Sequence, residues 1–402
     1  MTDKKMRILI VHNYYQVPGG EDTVVANEKE MLEEQGHKVM LYSRSNSELK
    51  SFSIIRKMLL PFTTIFNPRT YRDVCRIIRQ ERIDIVHVHN TLNLISPAVY
   101  YAARSLKVPV VQTVHNFRLL CPGATFYRDG HICEDCLSKG LICAVKHNCY
   151  RQSKIQTLVC VVNTWIHRIT GIYSKLNYIC LTDFNKQKLL LMKQIKEEQV
   201  YVKPNFTDAK ESEIIPFEQR KDQFVFVGRL DKLKGIDFLL KTWKSMGGNV
   251  SKLVVCGTGP LQEWCKNYIV DNALANVEYR GLVLNEEAKE IIAESKALIL
   301  PTQWYEGFPM TIVEAYSVGT PVIGPKMGNV GSLIVNEITG YTYISNEMHS
   351  LISSINKMKN INNKVVKNYK KHFTKTQNYI ELNSIYNGVI RHERNRKKCK
   401  ES

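Results

Sequence analysis

Residues Ala297–Gly324 read ALILPTQWYEGFPMTIVEAYSVGTPVIG. The apolar run 297–300 stops at Pro301 and predicts a short buried strand. Residues 303–309 form a loop punctuated by Gly307 and Pro309. Met310 to Val318 carries helical spacing and ends at Gly319, with Pro321 just beyond, the usual signals for a helix stop. Glu306 thus falls on the loop at the strand's carboxyl end, and Glu314 about one turn into the helix. In an open parallel sheet that edge is where ligands bind. The backbone amides of Phe308, Pro309's neighbour Met310, and Thr311 open the helix and suit a phosphate. A Glu early in a helix also complements the macrodipole, and a loop Glu is also simply solvated. This stretch alone leaves both readings open.

The flanking sequence repeats the strand–loop–helix pattern. Residues 224–227 open a second sheet in VFVGRLDKLKGIDFLL, with Arg229 and Lys234 in the loop that follows. Two cations there suit a diphosphate, Arg as a planar fork and Lys as a point charge. Residues 252–256 run into Gly257-Thr258-Gly259-Pro260, another strand and glycine turn, and 277–281 read as a further strand. The polar run from Pro204 to Arg220 marks a domain boundary, and 346–390 is polar and helical.

The N-terminal half opens as β-loop-α-β: a strand at 7–12, a loop holding Pro18, Gly19 and Gly20, a helix at 23–34 closed by Gly36, and a strand at 38–42. No G-x-G-x-x-G follows the first strand, which removes the main support for a nicotinamide-dependent oxidoreductase. Strands at 83–89 and 108–114 flank a helix at 97–106, and His115 tops the last of these strands. Residues 54–79 mix apolar side chains with Arg56, Lys57, Arg69, Arg72, Arg76 and Arg79. That pattern fits an anionic membrane surface and equally a solvated helix face. Cys133-x-x-Cys136, with Cys121, Cys143 and Cys149 nearby, has the look of a zinc knuckle over 121–149. Its set is Cys121, Cys133, Cys136 and either Cys149 or Cys143, and the alternative is a patch of reduced thiols.

The string EGFPMTIVEAYSVGTPVI resembles the Glu-x7-Glu signature of retaining glycosyltransferases of GT-B fold, in particular glycosyltransferase family 4 (glycosyl transferases group 1). The loop GRLDKLKG is similar to that family's Gly-Arg-x5-Gly loop. The resemblance implies an α/β chain of two Rossmann-like doubly wound domains with the active site in the cleft between them. The domains expected are 1–203 on the acceptor side, 204–370 for the donor, and 371–402 as a helix crossing back plus a basic tail. It implies that Arg229 and Lys234 grip the donor diphosphate with the amides after Phe308. Gly257 and Gly259 border the nucleotide, Glu314 binds the ribose, Glu306 holds the donor sugar, His115 positions that sugar, and the Gly19-Gly20 loop lies near the phosphates. Where the family commonly places a further Glu, this chain has Ser332. Transfer is expected to need no metal cofactor, so any zinc is structural.

Composition sets the remaining bounds. At 402 residues and 44% apolar content the chain supports two packed domains. A net charge of +18 favours anionic partners. Neither an aromatic-basic RNA signature nor a basic recognition helix is present, so no nucleic acid is expected, although a basic nucleic-acid-binding protein is an alternative class. A GT-B sugar-nucleotide epimerase is the nearer rival. No apolar run is long enough to span a membrane, and the run at 8–11 reads as a strand rather than a signal peptide. The expected setting is cytoplasmic, peripheral on the inner membrane face. The expected partners are a nucleotide-sugar donor and a saccharide or polyprenyl-linked acceptor, in the synthesis of a cell-surface polysaccharide.

Overall fold

The computed structural model describes residues 5–16, 19–208, 213–247 and 250–401, with side chains to 395. Pro18 of the expected glycine loop and the side chains of Arg396, Lys397 and Lys398 in the basic tail lie outside the described residues. The chain forms two compact units: residues 1–125, 134–203 and 379–402, and residues 126–133 and 204–378.

The first unit is built on a six-stranded parallel sheet. Its strands are β1 (Arg7–Tyr14), β2 (Lys38–Ser45), β3 (Ile85–Asn90), β4 (Val110–Val114), β7 (Asn177–Cys180) and β8 (Val200–Val202), in the order β2-β1-β3-β4-β7-β8. Every residue of β3 and β4 is buried. Helical crossovers cover both faces of such a sheet, so its inner strands are apolar runs without alternation. The basic stretch 54–79 is two helices, Ile54–Ile65 and Pro68–Glu81. Asn67 causes the break: its side-chain oxygen accepts from the Arg69 and Thr70 amides at 3.0 and 3.3 Å, and Pro68 takes the first helical position.

The second unit has the sheet order β11-β10-β9-β12-β13-β14, again parallel. These strands are β9 (Gln223–Val227), β10 (Lys252–Cys256), β11 (Val277–Gly281), β12 (Ala297–Ile299), β13 (Val322–Pro325) and β14 (Gly340–Tyr343). Side-chain alternation divides its core into two layers. Val225, Val254 and Leu298 pack with Ile312, Val313 and Tyr316 on one face, while Phe224, Phe226, Leu253 and Ile299 pack with Leu239 and Trp243 on the other. The expected helix at 310–318 is Met310–Ser317, ended by Gly319 at φ +71°. A hairpin, β5 (Tyr127–Arg128) and β6 (His131–Ile132), also belongs to this unit, and Phe126 at its base is fully buried with its ring 6.3 Å from Tyr305. The polar segment 346–390 divides into Met348–Asn356, Asn362–His372 and the long helix Lys375–Glu401, whose residues from Tyr379 belong to the first unit. Among the described residues no helix is long and apolar enough to cross a membrane.

Beside His87 and His89 of β3 lies a buried ion pair. Lys203 Nζ sits 2.8 Å from Glu28 Oε1, and both side chains are excluded from solvent. Removing one partner strands the other charge in a medium that solvates it poorly. Lys203→Met should therefore lower stability by about 3–5 kcal/mol. The joint Glu28→Met/Lys203→Met change should cost less than Lys203→Met alone. Urea unfolding midpoints of the three proteins check both statements.

Candidate functional site

The crossover order of each sheet creates a switch point, where successive connections leave in opposite directions and open a crevice at the strands' carboxyl ends. In the second unit it lies between β9 and β12, and the predicted residues gather there. Lys234, from the loop after β9, places Nζ 2.6 Å from Oε2 of Glu306, from the loop after β12. Glu306 is nearly buried, and its second carboxylate oxygen, Oε1, has no hydrogen-bond partner. Arg229 is two-thirds exposed, with Asp231 at 3.4 Å from its Nε. Arg229 therefore keeps most of its donors free for an incoming anion, and Lys234, held in place by one bond to a carboxylate, keeps two of its three.

The backbone holds these loops together. The Gln303 amide donates to Leu233 O at 2.8 Å, the Lys234 amide donates to Asp231 Oδ1 at 2.9 Å, and the Leu230 amide donates to Thr258 O at 2.9 Å. Gly235, at φ +71°, passes so close to the Pro301 carbonyl that a Cβ would collide with it. Gly257, at φ +138°, stands against the Gly228 carbonyl in the same way. Gly259 lies two residues on, beside Leu230. Asn329 was not anticipated: fully buried in the helix Gly328–Leu333, it donates from Nδ2 to Gly307 O at 2.6 Å and also to Glu306 O. A Gly-Asn step reads as a turn in sequence, and only the fold shows Asn329 clamping the Glu306 loop. Ser332 belongs to the same helix. Glu314 lies in the helix Met310–Ser317, behind Phe308, Pro309 and Thr311, and burial raises its pKa while Lys289 opposes the rise.

In the first unit the switch point lies between β1 and β3. His12 and His89 lie near the ends of β1 and β3, and His115 follows β4. His89 Nδ1 and His115 Nε2 are 2.9 Å apart and the rings stack at 5.2 Å. Burial, reinforced by neighbouring histidines and Lys203, holds both imidazoles well below their usual pKa. His115 is therefore neutral at pH 7, a hydrogen-bonding group rather than a cationic acid. It lines a cavity with His89, Asn116, Arg118 and Asn163. Gly19 precedes the helix Gly20–Glu34, and its amide donates to Asp22 Oδ2 at 3.0 Å, while Asp22 Oδ1 meets His12 Nε2 at 2.7 Å. Glu21, known from sequence only as the residue after the glycine pair, accepts from Tyr15 OH at 2.9 Å. Burial, and Asp22 beside it, push its pKa up to about 8 against the pull of Tyr15 and Arg118.

Of the expected zinc-knuckle cysteines, Cys121, Cys136 and Cys143 are buried, and Cys133 and Cys149 are half-buried. Cys136 and Cys143 are buried among Leu141, Ala144, Val145 and Val161, with Cys149 packed against that cluster. The first-unit sulfurs of the expected zinc set, Cys121, Cys136 and Cys149, do not form a group within reach of one ion. Cys133 belongs to the hairpin segment of the second unit. Thiols in such surroundings fill volume as small hydrophobes. Among the described residues the group that does come within metal reach is Glu28, His87 and His89. Its ligand positions are largely taken: Tyr386 OH is 2.6 Å from His87 Nδ1, Thr113 Oγ1 is 2.7 Å from His87 Nε2, and Lys203 occupies Glu28. An ammonium already supplies the charge a metal ion would bring.

Residues 207–376 match the family described as Glycosyl transferases group 1, and residues 18–139 match Glycosyltransferase Family 4. A UDP-Gal:alpha-D-GlcNAc-diphosphoundecaprenol alpha-1,3-galactosyltransferase of Escherichia coli is 23% identical, over 92% of this chain and 95% of that protein. Among solved structures, the lipopolysaccharide outer core galactosyltransferase WaaB in its apo form superposes with a TM-score of 0.67 at 16% identity, covering 94% of this chain and 99% of that one. Anabaena HepE in complex with UDP superposes with a TM-score of 0.64 at 15% identity, covering 96% and 100%.

The Glu21 carboxyl generates a pH prediction. It stays protonated in the fold up to about pH 8. In the unfolded chain it ionises above about 4.3. Between these values the folded state binds the extra proton at Glu21, so this group's contribution to stability falls as pH rises through that window, by at most about 1.4 kcal/mol per unit, against the opposite contribution of the buried neutral histidines. The midpoint of Glu21→Gln minus that of the wild type should therefore grow with pH and be largest at pH 8 and above, as read from thermal midpoints at pH 5, 6.5 and 8.5.

Proposed function

Because this chain is a glycosyltransferase of GT-B fold and of the family 4 kind, we propose that it moves a sugar from a nucleotide-diphosphate sugar to a saccharide or lipid-linked saccharide, with retention at the anomeric carbon and without a metal ion. The Escherichia coli relative, whose name specifies a UDP-sugar and a diphosphoundecaprenol acceptor, supports a donor and acceptor of those classes. A cell-surface polysaccharide or glycolipid is the product this reading favours.

The observation that carries it is the pairing of Lys234 with Glu306 at the switch point of the second sheet, beside the free fork of Arg229. Breaking the bond from sugar to diphosphate builds negative charge on the leaving group. Arg229, Lys234 and the amide end of the helix Met310–Ser317 meet that charge with preformed positive potential. Two fixed cations there do the work a divalent ion does elsewhere. Glu306 holds the Lys234 ammonium in place and offers its unpartnered Oε1 to a sugar hydroxyl. Glu314, four residues into that helix from Met310, takes the ribose. His115, neutral, orients a hydroxyl of the sugar and transfers no proton.

A thermal-shift screen of nucleoside diphosphates and their sugars, in EDTA, tests the donor assignment. One nucleotide class at a hundred times its Kd should stabilise the wild type by about 2.7 kcal/mol. Arg229→Ala should lose that shift. Lys234→Ala should lower kcat by about 10²–10³-fold. NMR of the product should show the donor's anomeric configuration. The reading fails if no nucleotide shifts the midpoint, or if the sugar nucleotide is epimerised with no acceptor present.

A further inference from the structure

Two helices of the first unit, Ile54–Ile65 and Lys154–Ile169, pack against each other. His167 Nε2, on the second, lies 2.9 Å from the Ile65 carbonyl and ties them together. Each also turns apolar side chains into solvent. On Lys154–Ile169, Ile155, Leu158, Trp165 and Ile169 are exposed and Val162 is half-buried. Their spacing of three and four residues places all five on one stripe. The side of that helix facing the core is supplied by others, among them Thr157, Cys160 and Val161. On Ile54–Ile65 the exposure is greater. Ile54, Ile55, Met58 and Phe62 are each 70–78% exposed, and residues 53–59 are exposed without interruption. A helix with apolar residues around most of its surface is ordinarily a buried one, and here none of the described residues covers its leading turns.

Charge identifies what covers this face. Residues 49–72 and 136–182 contain no Asp or Glu. At the chain's average acid content the longer stretch would carry about four, so the absence is a bias and not composition alone. The same stretches carry Lys50, Arg56, Lys57, Lys154 and several further cations. Two copies meeting through this face would bring like charges together, which the net charge of +18 already opposes. We infer that the two-helix face docks on an anionic lipid bilayer. The apolar stripes enter the acyl boundary, Arg56, Lys57 and Lys154 meet headgroup phosphates, and the Trp165 indole takes the interfacial level. This inference rests on exposure and charge and stands independently of the reaction proposed above.

Co-sedimentation with vesicles, without donor, tests it. Vesicles of phosphatidylglycerol and phosphatidylcholine should bind the protein at least tenfold more tightly than phosphatidylcholine alone, less so as salt rises. Ile55→Ser/Phe62→Ser and Trp165→Ser/Ile169→Ser should each weaken binding tenfold or more. Arg56→Gln/Lys57→Gln should weaken it roughly 25-fold, at about fivefold per cation. These side chains stand in solvent, so all three variants should keep the wild-type thermal midpoint and its nucleotide response, which separates lost docking from lost folding. Failure to bind either vesicle overturns the inference, as does equal binding to both. A concentration-dependent dimer that these substitutions abolish, with no vesicle binding, would assign the face to a second copy instead.

Discussion

A parallel strand cannot turn directly into its neighbour. The chain must cross back over the sheet, and every crossover delivers its loop to the same edge. Both units of this protein obey that constraint, and their functional groups follow from it. In the second unit, β9 and β12 are neighbours in space but far apart in sequence. Their connections leave in opposite directions, and the loops bearing Lys234 and Glu306 open side by side. Glycines 235 and 257 occur where backbones come too close for a Cβ. The ion pair, the exposed Arg229 and the helix at Met310 are thus results of one topological rule acting on ordinary residues.

The first unit meets the same rule with different chemistry. Its switch-point groups include imidazoles and the Glu21 carboxyl, whose charges burial disfavours. His87 is held down to about 4, His89 and His115 lie well below their usual pKa, and Glu21 is raised to about 8. Glu28 and Lys203 persist as a pair because each compensates the other. Such a site offers neutral donors and acceptors fixed in direction, suited to hydroxyl groups, while the second unit offers cations suited to phosphate.

Much of this was legible beforehand because the signals are local. Apolar runs of strand length, the Gly319 stop, and the spacing of Glu306 and Glu314 each lie within a few residues of what they determine. The Asn67-Pro68 break was legible too, as a cap and a first-turn proline, but the run of arginines masked it. Asn329, Asp22 and Glu28 were hidden for another reason. Their partners are Gly307, His12 and Lys203, between 10 and 175 residues away, and no short window contains both ends. A Cys-x-x-Cys pair looks the same in sequence whether its sulfurs meet a metal or pack among apolar side chains.

Sequence by itself determined the order of strands and helices, the doubly wound class, and the residue types at the sheet edges, since periodicity and turn chemistry act along the chain. Tertiary structure alone decided which charges are paired, which are neutralised by burial, and which apolar stripes stay in solvent. Those depend on desolvation and on distance through space. A lysine beside a buried glutamate and an isoleucine on an uncovered helix are written with the same letters as their commonplace counterparts, and only packing tells them apart.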